Sequence, residues 1–61
     1  MTKKEFAFAL YQKLGLDFDE IKVSKRLASL KTVKVERAVN YLDSKSWGID
    51  DCRFVKAVLH L

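Results

Sequence analysis

Residues 27–42 read Leu27-Ala28-Ser29-Leu30-Lys31-Thr32-Val33-Lys34-Val35-Glu36-Arg37-Ala38-Val39-Asn40-Tyr41-Leu42. Val35, Ala38, Val39 and Leu42 recur at three- and four-residue spacing, which lines them along one face of a helix at about 100° per residue. Arg37, Asn40 and Ser44 then point outward, with Lys34 and Tyr41 beside them. On the other side of Lys31, the residues Val23, Leu27 and Leu30 form a second apolar stripe, flanked by Ile21 and Ala28, while Lys22, Lys25, Arg26 and Ser29 project away from it. Two amphipathic helices therefore meet at Lys31 and Thr32. Thr32 is the expected N-cap of the second, which runs to about Lys45.

The same periodicity extends in both directions. The chain has no Pro, and its Gly residues stand only at positions 15 and 48. Upstream, Thr2 followed by Glu5 has the spacing of a capping box, ahead of an apolar face of Phe6, Ala7, Leu10, Tyr11 and Leu14 that Gly15 ends. Phe8 and Ala9 widen that face, so this helix is expected to lie at the centre. Asp17, Asp19 and Glu20 suit the positive end of the next helix, with Asp17 or Asp19 as its N-cap, and read as capping groups rather than as an acid–base pair. Downstream, Gly48 is expected to take a left-handed turn beside a structural Trp47. Asp50 or Asp51 then caps a last helix with Phe54, Val55, Val58 and Leu61 inward and Arg53, Lys56 and His60 outward. The predicted fold is all-α, a small single-domain bundle of three to four short helices over residues 1–61. Its expected core is Phe6, Leu10, Leu14, Val23, Leu27, Leu30, Val35, Val39, Leu42, Trp47, Phe54 and Val58.

Composition narrows the function. With 61 residues, 49% hydrophobic and 33% charged, the chain is too apolar for a disordered tail and too charged for a membrane span. Its longest apolar run, Phe6 to Tyr11, is far below the roughly 18 residues of a spanning helix. Nothing resembles an export signal, and the lone Cys52 allows neither an intramolecular disulfide nor a paired-cysteine zinc site, so a reducing cytoplasm is the expected location. Cys52 and His60 lie about 12 Å apart along one predicted helix, too far to share a proton. No glycine-rich phosphate loop or histidine pair is present, and neither an enzyme nor a cofactor is expected.

The charge is concentrated. Lys22, Lys25, Arg26, Lys31, Lys34 and Arg37 face a single acid, Glu36, so residues 22–37 carry +5 of a chain whose net charge is +4. A basic stretch over a helix, a turn and a second helix is the footprint of a phosphate-binding surface.

Leu27, Ala28, Val33, Ala38 and Tyr41 stand where the helix-turn-helix family places its apolar and small residues, and the segment resembles that family. The turn itself carries Lys31 and Thr32 where the family usually has an apolar or small residue and Gly. The resemblance implies a small regulator of the kind bacteria and mobile elements carry. It implies that Lys34, Arg37, Asn40 and Ser44 face duplex DNA while Lys25, Arg26 and Lys31 hold phosphates. Ile49 to Ala57, with Asp50, Asp51, Arg53, Phe54 and Ala57, is similar to a segment of the RecX recombination regulators, whose helices bind a protein filament on DNA. The alternative expectation is a protein-interaction module, argued from aromatic residues such as Phe8, Phe18 and Tyr41 that so small a bundle cannot hide. A homodimer through the apolar last helix is a further expectation.

Overall fold

The computed structural model describes residues 1–61 and contains four helices and no strand: α1 Lys3–Leu14, α2 Glu20–Ser29, α3 Thr32–Lys45 and α4 Ile49–Leu59. Each begins and ends for a local reason. At α1, the Thr2 hydroxyl accepts from the Glu5 backbone N–H at 3.2 Å and the Glu5 carboxylate accepts from the Thr2 N–H at 3.3 Å. The helix stops at Gly15, whose left-handed φ of 66° an L side chain would strain. Asp19 caps α2 by accepting from the Lys22 N–H at 3.1 Å.

Lys3 closes the other end of α2. Its ammonium donates to the Leu27 carbonyl at 3.2 Å and to the Leu30 carbonyl at 2.6 Å, placing a cation on the negative end of the helix. Leu30 is extended (φ −85°, ψ 138°), and the chain turns into α3 within two residues.

Three expectations about the junctions are corrected. Thr32 is the first helical residue of α3, and Lys31 holds the N-cap position with no side-chain bond. The Lys31 carbonyl takes the first α3 amides, Lys34 and Val35, at 3.0 and 3.4 Å, which moves the start one residue earlier than the hydroxyl suggested. Gly48 is not left-handed. The reversal occurs one and two residues earlier, at Trp47 (φ 53°) and Ser46 (φ 66°), because the Trp47 N–H returns to the Leu42 carbonyl at 3.2 Å. Gly48 is instead the N-cap of α4, with its carbonyl accepting from Cys52 at 2.9 Å. Asp50 and Asp51 lie inside the first turn of α4, where they favour its positive end without capping it.

The centre of the molecule is α1, which packs on all three other helices, as its broad apolar face predicts. The core comprises Phe6, Ala7 and Leu10 of α1, Val23, Leu27 and Leu30 around α2, Val35, Ala38 and Leu42 of α3, and Cys52, Val55 and Leu59 of α4. Leu14, Val39 and Trp47 pack against it half-buried, and the Trp47 ring meets Phe6 edge-on at 5.6 Å. Phe54 and Val58 were expected inside, yet each is 55% exposed. On α4 the pair Phe54 and Val58 and the pair Val55 and Leu59 are both four apart and lie side by side. The second pair goes inward because Cys52, small and fully buried, shares its stripe and lets α4 approach α1 closely. No helix is long and apolar enough to cross a membrane.

Candidate nucleic-acid interface

The basic segment occupies the corner where α2 hands over to α3. Arg26, Ser29, Leu30, Lys31 and Lys34 line one open cleft of about 310 Å³ there. Three of the expected site residues, Arg26, Lys31 and Lys34, are thus brought together. Neither of the chain's ion pairs, Lys4 with Glu20 and Arg53 with Asp50, involves any of the seven expected site residues. The corner cations are therefore not neutralised by this chain's own carboxylates.

The start of α3 strengthens that field. Its first turn holds no acid and its N-cap makes no side-chain bond, whereas the first turns of α1, α2 and α4 carry Glu5, Glu20, and Asp50 with Asp51. Free backbone N–H groups and the positive end of the helix dipole thus open onto the side where Lys31 and Lys34 stand.

The other expected residues divide. Lys25 is exposed on the outer face of α2, away from the cleft. Arg26 was expected to project outward. It is half-buried, and its Nε donates to the Leu59 carbonyl at 2.8 Å, so it ties α2 to the end of α4 and offers only the remainder of its guanidinium to a ligand. That role was invisible in the sequence, because Leu59 lies 33 residues away. Arg37 is exposed and borders the α3–α4 groove with Lys34. Asn40 is exposed three residues on, on the same outer face of α3, and borders a second cleft with Glu36 and Met1. Ser44 is exposed, but its hydroxyl already donates to the Tyr41 carbonyl at 2.7 Å.

Of the five residues that carry the helix-turn-helix resemblance, Leu27 and Ala38 are buried and Tyr41 is half-buried, while Ala28 and Val33 are exposed. The backbones of α2 and α3 do not approach one another closely, and α1 is the helix whose backbone comes nearest to α2. The corner is therefore organised by α1 beneath it and by the Lys3 and Arg26 bonds to carbonyls.

A second surface was missed in part by the sequence. Ala38, Tyr41, Phe54, Val55, Val58 and Leu59 line an apolar groove of about 220 Å³ between α3 and α4, with Lys34 and Arg37 at one end. Cys52 is buried, and that burial raises the pKa of its thiol above the ordinary value. Its sulfur faces the Trp47 carbonyl at 3.8 Å. His60 is exposed at the left-handed C-cap of α4. Compared with protein-family models, with curated proteins and with solved structures, the chain matches none.

Proposed function

We propose that this chain binds duplex DNA through the α2–α3 corner, as a small basic regulator. The observation that carries the reading is the convergence of Arg26, Lys31 and Lys34 on one open cleft with no carboxylate among its lining residues. Lys31, Lys34 and the more distant Lys25 contact phosphates. Arg37 and Asn40, exposed as neighbours on the outer face of α3, reach toward base edges, for which guanidinium and carboxamide groups are suited. Ser44 contributes as an acceptor only, since its proton is engaged within the helix.

Fluorescence anisotropy of a labelled duplex over a salt series tests this. Lys31→Ala and Lys34→Ala each weaken binding to every sequence and reduce the salt slope by about one, the loss of roughly one phosphate contact. Arg37→Ala costs about 1–3 kcal/mol on a preferred site and little on random DNA. If no duplex binds at low salt, the DNA reading is lost.

The second reading, a protein-interaction module, is favoured by the exposure of Phe54 and Val58 along the apolar groove. Retention of a protein partner equally well after nuclease treatment and in high salt supports that reading over DNA.

A further inference from the structure

We infer that the corner cleft is a single-phosphate site built around a fixed arginine fork. Its ligand is the doubly charged terminal phosphate of a DNA strand rather than an internal phosphodiester. The half-buried Arg26 is the centre of the site. Its Nε donates to the Leu59 carbonyl at 2.8 Å and its Nη1 to the Ser29 hydroxyl at 3.4 Å, while that hydroxyl is itself fixed by donating to the Arg26 carbonyl at 2.7 Å. A guanidinium has five N–H donors, and these contacts engage two of them. The remaining donors belong to a group already held from two sides, on the wall of the cleft of about 310 Å³ that Lys31 and Lys34 share.

No carboxylate of the chain neutralises this group. A half-buried charge is ordinarily paired, yet both oxygens that hold the guanidinium are neutral, and neither ion pair of the chain includes it. Asp17 and Asp19 border the neighbouring cleft together with Arg26, Lys22 and His60, without pairing with the guanidinium. Glu36, the one acid of residues 22–37, lines a different cleft beside Met1 and Asn40. The Leu59 carbonyl lies at the end of α4, whose dipole offsets roughly half a charge there. Arg26, Lys31 and Lys34 together therefore present roughly +2.5 to one cleft.

The size of that charge selects the ligand. An internal phosphodiester supplies a single negative charge. A terminal phosphate carries about −1.5 to −2 at neutral pH and three strong acceptor oxygens, which match a fork flanked by two ammonium groups. Because Leu59 and Ser29 already fix the guanidinium, little further side-chain freedom is lost when the anion arrives. The site rests on the DNA reading only for the source of its phosphate, a strand end.

Two measurements on the full chain test this. In the first, inorganic phosphate is titrated into isotope-labelled protein at constant ionic strength set with sodium chloride, and heteronuclear NMR follows the shifts. Saturable shifts are expected at the Arg26 Nε–H and at the amides of Lys31 and Lys34. Arg26→Lys, which keeps the charge and loses the fork, weakens binding about fivefold or more, and so does Lys31→Gln. Lys31 is exposed and its side chain makes no capping bond, so this second variant decides the matter where Arg26→Lys loosens the tie to Leu59. Lys45→Ala removes an exposed charge at the far end of α3 and leaves the affinity within about twofold. In the second measurement, fluorescence anisotropy compares one duplex bearing phosphorylated ends with the same duplex bearing hydroxyl ends. The phosphorylated form binds the parent about fivefold tighter, and Arg26→Lys binds the two alike. No saturable shift, or shifts that both corner variants leave unchanged, overturns the site. Phosphate binding with no preference between the two duplexes overturns the strand end as its source and leaves free phosphate as the ligand. Phosphate binding with no duplex bound at all overturns the DNA reading while the site stands.

Discussion

The seam between α1 and α4 and the corner between α2 and α3 are held by different forces. At the seam, Phe6, Leu10 and Cys52 have no exposed surface, and Val55 and Leu59 complete an apolar contact without a buried polar group. At the corner, the backbones of α2 and α3 stay apart, although both helices contribute side chains to the common core. Their positions depend on Lys3, which binds the Leu27 and Leu30 carbonyls, and on Arg26, which binds the Leu59 carbonyl. A domain this small has only one core to bury its apolar groups, and α1 and α4 supply half of its residues. The corner is therefore left open, charged and available to a ligand, while the seam supplies the stability that keeps it in place.

The largest effect that separates the two comes from the core. Leu42 is fully buried in the common core, and Leu42→Ala removes side-chain contacts and leaves a cavity. It is expected to cost about 2–5 kcal/mol, comparable to the whole stability of a domain this size, so urea denaturation followed by circular dichroism should show a largely unfolded chain at 25 °C. A melt like that of the parent would mean the core is not where the structure places it.

A smaller effect isolates the corner. Lys3→Met keeps the aliphatic stem but removes the ammonium from two carbonyls at the end of α2, at a cost of about 1–2 kcal/mol. Hydrogen exchange should then quicken in the last turn of α2 and the first of α3 while the α1–α4 seam stays protected. Uniform quickening would show that corner and seam open as one unit.

The smallest effect is a pH dependence at the start of α1. The hydrogen bond with the Thr2 side chain, and then that with the Thr2 backbone, lowers the Glu5 pKa below the ordinary carboxylate value. The ionised cap thus stabilises the fold above the unfolded carboxylate pKa, and that contribution is lost as pH falls through the lowered folded value. Glu5→Gln should flatten this part of the acid limb, as read from thermal melts across the acid range. An acid limb identical to the parent's would remove Glu5 as its cause.

How much of this was legible in the sequence depends on the range of the interaction. The cap at Thr2 with Glu5 and the stop at Gly15 are satisfied within a few residues and were readable, and the cap of α2 was narrowed to Asp17 or Asp19, of which the structure uses Asp19. The α3–α4 turn was misplaced because Gly48 advertises left-handed freedom, whereas the Trp47 N–H to Leu42 carbonyl bond puts that conformation on Ser46 and Trp47. The facing of α4 was ambiguous, since two apolar pairs run side by side along it and only packing against α1 selects Val55 with Leu59. At the candidate site, the charge-dense segment of the sequence does bring Arg26, Lys31 and Lys34 to one cleft. The engagement of Arg26 with Leu59 is tertiary, and no local pattern encodes it.

Cys52 has a consequence for how the protein's opening can be timed. It is the only thiol in the chain, it lies at the seam rather than the corner, and burial holds it in the unreactive neutral form. An alkylating reagent therefore reaches the sulfur only in molecules whose α1–α4 seam has parted. When closing outpaces alkylation, the labelling rate relative to that of an unfolded peptide gives the equilibrium constant for that opening. The native sequence thus carries a single-site clock for its interior, readable by mass without an introduced probe. A ligand bound at the corner would slow that clock only to the extent that it favours the closed seam over the open one.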